Sequence, residues 1–586
     1  DYAFGGLYGI LPRVTVPAEL PERVEVLKGP SAMLTGMAPS GSIGGTVNLI
    51  AKRAADEPLT QATANYTSDA QFGGHVDIGR RFGEEKQFGV RFNGVYRAGE
   101  TAIDRNTDEL GLALLGLDFR GERVRLSADL GYQYQYVGGL VAMPTVALGV
   151  PVPGVPKLSN NFGQPWGFNW RKELFGAVRA EVDITEHLTA YAAFGANDSR
   201  AKYFNGGFPS IVNVNGNTTQ TPVVENSYYS AWTGEVGVRG LVDTGPIGHE
   251  FVLSATTYQQ EQGSASATGT AFASNIYTPT FIARPNLADP AVTKTSAGTL
   301  SSLVLADTLT AAAKRIQLTV GGRLQQVKAQ NFNPVSGLQT SSYDQSAVTP
   351  GVGFIVKPWQ NVSIYGNYMQ GLQQGPTAPA GTTNAGQMFA PLKSTQFELG
   401  AKVDFGQFAA TLALFQIEQP AGLVNPATAT FSVDGIQRNR GLELNVFGEP
   451  LKGFRTLGGI SLIDGVQVST ASALTQGKKA TGVPDVQLNL GAEWDASFLR
   501  GLTFSGRVIY TSAQYLDPAN TQSIPAWTRF DAGVRYSFER PDGKPISIRF
   551  NVENLFDLNY WASANSTYGL SMGAPRTFLL SLSADF

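Results

Sequence analysis

The sequence predicts an all-β membrane protein with an antiparallel transmembrane barrel of about 22 strands. Three observations support this fold class. Segments of strand length alternate between apolar and polar residues along most of the 586 residues. The sequence contains no run of 18 or more apolar residues, the length at which a transmembrane helix is expected. Charged residues make up only 16% of the chain and 67 residues are glycine, which suits a protein whose outer surface contacts lipid.

The alternation has the two-residue period of strands with unlike faces. In 486–495 one face carries Val486, Leu488, Leu490, Ala492 and Trp494. Residues 124–136, 174–184, 529–538 and 546–553 repeat the pattern, with Arg, Glu, Asp and Asn on the polar faces. A soluble β-sandwich or propeller would explain one such strand, but globular strands average about five or six residues. Repeated strands of about ten residues favour a membrane barrel, which needs about 9–11 residues per strand.

The number of strands follows from the chain length. If the barrel begins near residue 56, then 531 residues remain, and about 24 residues per strand and connection give about 22 strands. Segments rich in Gly, Pro, Ser, Thr and Asn are expected to form the long outer loops, namely 138–170, 204–226, 262–300, 329–346, 371–391, 419–435, 511–525 and 561–574. Because side chains cannot fill so wide a lumen, it must be open or hold a plug.

The composition excludes several classes of function. The absence of cysteine excludes a thiolate nucleophile, a disulfide framework and a Cys-ligated metal site. A pI near 5.8 argues against a nucleic-acid binder. His75, His187 and His249 are scattered, and neither a zinc-protease nor a serine-hydrolase motif occurs. We therefore expect no enzymatic activity and no metal site, with the histidines acting as barrel or turn residues.

Residues 1–53 differ from the remainder of the chain. A short strand over 22–30 ends in a Gly-Pro turn, a loop of small residues follows over 31–45, and a second strand covers 46–53. A glycine-rich loop could bind phosphate, but neither GxxxxGK[ST] nor GxGxxG occurs here. We therefore expect residues 1–53 to form a unit distinct from the barrel, which residues 54–586 are expected to form.

The run over 22–53, ERVEVLKGPSAMLTGMAPSGSIGGTVNLIAKR, closely resembles the plug of TonB-dependent outer-membrane receptors. The resemblance implies that residues 1–53 lie in the lumen as the C-terminal part of an N-terminal plug domain, and that residues 54–586 form the transmembrane barrel. One departure is Thr35, where many members of that family have tyrosine. The barrel adds further likenesses at 393–402 (KSTQFELGAK), 438–444 (RNRGLEL) and 551–561 (NVENLFDLNYW), and an apolar final strand ends at Phe586. The resemblance is strongest to the siderophore-receptor branch, in particular the ferrichrome and coprogen types.

Members of that family begin with a signal peptide, a TonB-binding segment (the TonB box) and the first half of the plug. None of these is present in the given sequence, so we expect the chain to be a fragment or the ordered part of a longer protein.

The resemblance implies active import of a ferric siderophore across the outer membrane of a Gram-negative bacterium. The implied partners are the siderophore, TonB with its inner-membrane complex, and outer-membrane lipid with lipopolysaccharide, and the receptor is expected to be a monomer. Iron would arrive already chelated, so no cofactor is expected. A receptor for haem, cobalamin or another metallophore is the main alternative, and a passive porin is a weaker one because of the plug.

The resemblance also implies where the plug meets the barrel. Glu398 and Glu443 lie on the polar faces of alternating strands and are therefore expected to point into the lumen. By the resemblance they contact basic plug residues, of which Lys28 is the matching candidate. The alternative is that these carboxylates are independent, solvated charges.

The ligand contacts implied by the resemblance lie at the plug apex and around the outer mouth. Arg13 is attractive because siderophores present acceptor oxygens. The other candidates are mostly aromatic, and for each of them simple packing in a loop or at the membrane interface is the alternative. The candidates are Tyr8, Leu11 and Arg13 in the plug, and Trp166, Trp170, Tyr203, Phe204, Tyr368, Met369, Phe389 and Trp561 in the barrel and its loops.

Overall fold

The protein, represented by a computed structural model, is described for residues 1–425, 427–565 and 569–586. Residues 1–53, called the plug segment below, contain a small mixed sheet and one helical turn. The elements are β1 (Tyr2–Phe4), β2 (Leu7–Tyr8), β3 (Pro21–Lys28), α1 (Ala32–Thr35) and β4 (Gly45–Ala51). The sheet has the order β2-β1-β4-β3, in which β1 runs parallel to β4 and β3 runs antiparallel to it.

The strands of the remaining chain alternate between barrel staves and short pieces in the outer loops. They are β5 (Leu59–Thr67), β6 (Gln71–Phe82), β7 (Phe88–Glu100), β8 (Thr107–Arg120), β9 (Val124–Gly138), β10 (Thr145–Val146), β11 (Phe168–Thr185), β12 (Leu188–Asn205), β13 (Ser210–Ile211), β14 (Asn217–Gln220), β15 (Val223–Thr244), β16 (Ile247–Thr268), β17 (Phe272–Asn275), β18 (Lys294–Ala311), β19 (Ile316–Phe332), β20 (Gln339–Trp359), β21 (Val362–Gln373), β22 (Leu392–Asp404), β23 (Phe408–Val424), β24 (Phe431–Leu451), β25 (Phe454–Ser469), β26 (Val486–Asp495), β27 (Leu502–Thr511), β28 (Gln514–Tyr515), β29 (Ser523–Ile524), β30 (Trp527–Glu539), β31 (Pro545–Glu553), β32 (Trp561–Asn565), β33 (Gly569–Met572) and β34 (Thr577–Asp585).

Among the described residues, 22 of these strands form one closed barrel. Neighbouring staves are antiparallel, and the last strand, β34, pairs with the first, β5, with Leu580 opposite Tyr66. Closure satisfies the backbone groups that would otherwise face lipid at a sheet edge. The predicted barrel of about 22 strands is therefore confirmed. The expected domain boundary after residue 53 falls in the connection between β4 and β5.

Several staves are longer than the ten residues predicted. β15 and β16 have 22 residues each, and the segments 262–300 and 329–346, expected to be loops, are partly strand. The reason is that neighbouring strands continue their hydrogen-bonded ladder beyond the membrane. Both faces are polar there, so the alternation that reveals a strand in the membrane is lost.

Five outer connections pack together over one side of the mouth. These connections are called the cap and cover 139–167, 206–222, 269–293, 512–526, 554–565 and 569–576, the last two ranges belonging to one connection. The short strands β10, β13, β14 and β17 form a four-stranded sheet in it. Its apolar centre consists of Phe162, Ile211, Ile276, Leu516, Ile524, Trp561, Ala564 and Leu570. The cap therefore has a hydrophobic core of its own, separate from the barrel wall.

The plug segment lies in the lumen and packs against the barrel wall. Phe4, Ile10 and Leu11 share an apolar cluster with Leu112 and Phe175, which point inward from the wall. The apolar run at 110–117, which breaks the polar-inside rule, is explained by this contact, because the plug segment and not water covers it. Among the described residues, no helix is both long enough and apolar enough to cross a membrane.

Candidate ligand site at the plug apex

Residues 5–15 form a loop at the top of the plug segment, called the apex. Polar side chains from four barrel strands form hydrogen bonds with its backbone and help to fix the loop. The hydrogen bonds are Arg179 Nη2 to the Gly5 carbonyl (2.8 Å), Thr233 Oγ1 to the Tyr8 carbonyl (2.6 Å), Asn197 Nδ2 to the Ile10 carbonyl (2.9 Å), Gln133 Nε2 to the Thr15 carbonyl (2.9 Å), and the Arg13 amide to Glu173 Oε1 (2.8 Å).

Gly9 explains part of this local conformation. Its φ is +75°, a region that favours glycine. A Cβ at this position would lie 2.5 Å from the ring of Tyr258. The apex can therefore approach the wall at Tyr258 only because residue 9 lacks a side chain.

Arg13 is the predicted apex residue whose side chain is exposed. Its guanidinium lies 4.1 Å from the ring centroid of Tyr229, a cation–π geometry. The Tyr229 hydroxyl is in turn 2.8 Å from that of Tyr258. Arg13 is thus oriented toward the mouth by an aromatic platform, with donors left over for a ligand.

Tyr8 and Leu11 do not face the mouth as expected. Both side chains are buried, and the Tyr8 hydroxyl lies 2.7 Å from Thr46 Oγ1 within the plug segment. Leu11 belongs to the apolar cluster against the wall. They pack the apex and are not available to a ligand in this conformation.

The predicted aromatic contacts of the cap are also packing residues. Trp561 is 2% exposed and donates from Nε1 to the Pro153 carbonyl at 3.0 Å. Phe204 is buried, with its ring centroid 5.0 Å from that of Trp166. Trp166 Nε1 donates to the Ile282 carbonyl at 2.9 Å. These three residues join the loops of the cap to one another and to the barrel rim.

Of the remaining candidates at the mouth, some face the lumen and others face outward. Met369 faces inward and packs against Met33 of the plug segment. Tyr368, the next residue, therefore faces outward, where its ring centroid lies 5.1 Å from that of Phe397. Trp170 also faces outward, 5.6 Å from Lys172 Nζ. Tyr368 and Trp170 are thus interface aromatics on the lipid side, contrary to the expectation.

Tyr203 and Phe389 stay near the mouth. Tyr203 is half-buried on the inward face of β12, opposite Glu225 of β15. Phe389 lies in the connection 374–391, with its ring centroid 5.4 Å from that of Phe431. With Arg13, they are the predicted residues that still line the outer part of the lumen or its rim.

Three residues of the site were not identified from the sequence: Tyr229, Tyr258 and Arg171. Arg171 lies on the inward face of β11, two residues from Glu173, with Nη1 3.4 Å from Ser199 Oγ. Alternation could have assigned these side chains to the lumen. It could not show that these strands, among 22, approach the apex.

A loop of the cap is fixed on the outside of the rim by Asp289. Lys202 Nζ and Asn226 Nδ2 each donate to its carboxylate at 2.8 Å. The hydrogen bonds, first from Lys202 and then from Asn226, lower the pKa of the Asp289 carboxyl. The connection 269–293 is therefore held against β12 and β15 near neutral pH.

The plug segment and barrel wall meet at Lys28. Its Nζ lies 2.5 Å from Glu443 Oε2, which is the pairing that the resemblance implied. Glu398 differs: among the described residues it has no ion-pair partner, and it accepts hydrogen bonds from the Tyr365 hydroxyl (2.8 Å) and Gln396 Nε2 (3.0 Å). Its effect on the plug segment is therefore indirect and passes through Gln396.

The Gln396 side chain packs tightly against the Gly29-Pro30 turn. A Cβ at Gly29 would lie 2.0 Å from Gln396 Oε1, and the φ of Gly29 is +75°. Glu398 thus positions the Gln396 amide, which fills the space beside Gly29. Both this close contact and the positive φ require glycine at position 29.

A second and more buried contact, the exit clamp, was not identified from the sequence. It consists of Lys52, Arg53, Asp77, Arg91 and Asp129. Arg53 makes a bidentate pair with Asp129 at 2.5 and 2.7 Å. Lys52 Nζ lies 2.9 Å from Asp77 Oδ2, and Arg91 pairs with the same carboxylate through Nε and Nη2. The segment leaving the plug is therefore fixed to β6, β7 and β9.

Glu443→Gln is expected to increase passive leakage more than Glu398→Gln, because only Glu443 contacts the plug segment directly. Lys28 is 54% exposed, so this pair contributes about 1 kcal/mol or less, and leakage should rise by at most about fivefold. The measurement is TonB-independent entry of a bulky antibiotic into cells carrying each variant. Equal leakage through both variants would contradict the direct role of Glu443.

Among the described residues, no group of three or more His, Asp or Glu side chains is arranged to hold a metal ion.

Comparison with known proteins identifies the family. Residues 63–555 match the family described as TonB dependent receptor-like, beta-barrel. The chain is 39% identical to the ferrichrome receptor FcuA of Yersinia enterocolitica, with 100% of this chain and 78% of that protein covered. It is 24% identical to the ferrichrome outer membrane transporter/phage receptor of Escherichia coli, covering 95% and 77%.

A solved structure agrees with this result. BauA, the ferric preacinetobactin receptor from Acinetobacter baumannii, superposes with a TM-score of 0.95 at 39% identity, covering 100% of this chain and 88% of that one. The resemblance seen in the sequence is confirmed, and the relatives are transport receptors and not enzymes. The chain belongs to the TonB-dependent receptor β-barrel family of Gram-negative outer membranes.

Proposed function

We propose that this protein binds a ferric siderophore at its extracellular mouth and imports it in a step that TonB energises. The observation that carries the proposal is Arg13, exposed at the apex above Tyr229, with its guanidinium free to donate to the acceptor oxygens of a chelate. The names of the relatives support it: FcuA is a ferrichrome receptor and BauA a ferric preacinetobactin receptor.

The proposal includes several details of the working receptor. Residues 1–53 act as the C-terminal part of the plug domain and 54–586 as the barrel. Iron arrives chelated, and the protein supplies no cofactor of its own. TonB acts through a segment of the full-length protein that precedes residue 1, and the receptor works as a monomer in contact with lipopolysaccharide.

Uptake measurements test the function. Cells that carry the full-length receptor as their only route receive labelled ferric hydroxamates, catecholates and carboxylates, with haem and cobalamin in parallel. At least one ferric siderophore should accumulate, and deleting TonB should abolish its uptake. Uptake of haem or cobalamin alone would support the alternative cargo, whereas TonB-independent uptake would indicate a porin.

Arg13→Ala is expected to weaken binding of the transported chelate about tenfold to a hundredfold, because a hydrogen bond to a charged group contributes about 1.5–3 kcal/mol. Arg13→Lys should recover only part of this, since it keeps the charge but loses the planar donor fork. Arg23→Ala, which removes an exposed arginine elsewhere in the plug segment, is the matched control. Unaltered affinity of Arg13→Ala would remove this residue from the site.

A further inference from the structure

Arg171 is a half-buried arginine on the inward face of β11, at the level just above the apex. Its orientation follows from Glu173, which lies two residues away on the same strand and accepts the Arg13 amide in the lumen. Because β11 follows a connection of the cap, it runs from the mouth toward the periplasm. Arg171 therefore lies about 7 Å nearer the mouth than Glu173 along the strand, and it faces the space that a ligand crosses to reach the apex.

Other inward arginines of the barrel hold the plug segment. Arg179 donates to the Gly5 carbonyl, and Arg323 donates to two carbonyls of α1. Arg171 differs from them. Within the described part of the chain it forms no ion pair, and its one hydrogen bond is a long one, from Nη1 to Ser199 Oγ at 3.4 Å. Most of its donors are therefore unused, which is unfavourable for a charged group partly shielded from water.

Arg13 brings a second cation to the same place from the plug segment. Its guanidinium lies over the ring of Tyr229, and Tyr229 is directly opposite Ser199, the residue that Arg171 contacts. The two guanidinium groups are thus close enough for their charges to interact. Since like charges repel, this arrangement is less costly when an anion is bound between them.

The wall beside Arg171 leaves room for a large ligand. The residue opposite Arg171 on β12 is Ala201, and the residue opposite Ala201 on β15 is Ser227. Two small side chains therefore follow Arg171 around the wall, while Tyr203 lies on the same face of β12, two residues nearer the mouth. We call the space bounded by Arg13, Arg171, Ala201, Tyr203 and Ser227 the arginine recess.

Two carboxylates lie near the arginine recess without cancelling its positive surface. Glu173 is 1% exposed and its Oε1 accepts the Arg13 amide, so it acts from below and does not touch a ligand in the recess. Glu225 of β15 is opposite Tyr203 and forms no ion pair with any described residue. A ligand in the recess therefore meets two cations and, on the far side, one carboxylate.

We propose that Arg171 and Arg13 select ferric chelates that carry a net negative charge. This inference rests on the proposed function and names the charge class of its substrate. Each guanidinium presents a planar pair of donors, which matches a carboxylate or the two oxygens of a catecholate. A ferric tris-hydroxamate is neutral, because each hydroxamate loses one proton, whereas catecholate and carboxylate chelates are anionic. An anionic chelate compensates both arginines, and a neutral one leaves Arg171 covered without a counter-charge.

The binding test uses the full-length receptor, purified in detergent, and equilibrium dialysis of radioactive ferric chelates. A linear tris-hydroxamate with a terminal amine offers one iron-binding core in three forms, which are cationic with the free amine, neutral after acetylation and anionic after succinylation. A ferric tris-catecholate is measured in parallel. Affinity should rise from the cationic to the anionic form, by about tenfold or more between neutral and anionic, and the catecholate should bind more tightly than the neutral hydroxamate.

Variants of the recess identify the group responsible. Arg171→Gln should lower the affinity for anionic chelates about tenfold or more and leave that for the neutral chelate within about twofold. Arg171→Lys should keep part of the preference, because it keeps the charge but loses the planar donors. Glu225→Gln should strengthen binding of the anionic chelates. Lys172→Gln removes the next residue's cation, which faces outward beside Trp170, and this matched control should bind as the wild type does.

Three results would overturn the inference. They are a neutral or cationic chelate that binds as tightly as every anionic one, an Arg171→Gln variant with a wild-type melting temperature that binds neutral and anionic chelates equally weakly, and an Arg171→Gln variant whose affinities are all unchanged. The proposed function fails differently, when no ferric siderophore is bound or accumulated. If neutral and anionic chelates bind equally well, the receptor still imports siderophores and only the charge selection is wrong.

Discussion

Asp77→Ala should lower the free energy of unfolding by about 3–5 kcal/mol, because it leaves buried cations without their counter-charge. The Asp77 side chain is 4% exposed and accepts hydrogen bonds from both Lys52 and Arg91. Arg91 also donates to the Arg53 carbonyl at 3.2 Å, so one substitution weakens several contacts of the exit clamp. The melting temperature in detergent should fall, and the connection 52–58 should become accessible to protease.

Asp56→Ala is the matched control for this effect. Asp56 lies in the same connection, but its side chain is 68% exposed, and its contacts with Arg81 and Arg120 are at 3.9 and 3.5 Å. Such exposed ion pairs contribute about 0–1 kcal/mol to the free energy of unfolding. If Asp77→Ala melts at the same temperature as Asp56→Ala and resists protease equally, then the exit clamp does not fix the plug segment.

The two plug attachments differ in strength for a physical reason. In the exit clamp the carboxylates of Asp77 and Asp129 are shielded and have well-aligned partners, whereas Lys28 is largely exposed beside Glu443. A charge pair open to water is weakened by solvent and salt, and a shielded pair is weakened much less. We therefore expect the Lys28 contact to release more easily than the exit clamp.

Trp561→Ala should loosen the cap and leave the barrel intact. Removing a buried tryptophan costs about 3–5 kcal/mol, and Trp561 lies in the apolar centre of the cap with its indole bonded to Pro153. The connections 139–167 and 512–526 should become sensitive to limited proteolysis, and the affinity for the chelate should fall. The melting temperature of the barrel should not change, because the closed ring of hydrogen-bonded strands does not include β32.

The comparison is with Phe208→Ala, which removes an exposed aromatic side chain from the same cap. This variant should resist protease as the wild type does. If both variants are cleaved alike, or neither is, the cap does not depend on its apolar centre.

The sequence predicted well where one strong local rule applies. Residues 486–495 alternate because one face meets lipid and the other the lumen, and β26 covers the same range. The length of the chain set the number of strands, which the closed barrel confirms. Strands were predicted over 22–30 and 46–53, and β3 and β4 lie there, while their antiparallel pairing is known only from the structure.

The ligand site was predicted less well, because alternation gives the face of a strand but not its height or what covers it. Trp561 and Phe204 sit in a region expected to bind ligand, yet other loops bury them. Tyr368 lies beside Met369 in the chain but on the opposite side of the wall. Only Arg13 combines a predicted position with an exposed side chain oriented by neighbours distant in sequence.

The sequence alone determined the class of protein. The alternating periodicity, the low charge and the plug-like segment are properties of composition or of short segments, so they can be recognised without knowing which distant residues meet. The tertiary structure decided which residues meet. Lys28 pairs with Glu443, 415 positions away in the chain, and Arg53 pairs with Asp129, 76 positions away. The apex likewise contacts four different strands. Closure of the barrel brings them together, and no local pattern encodes such distances.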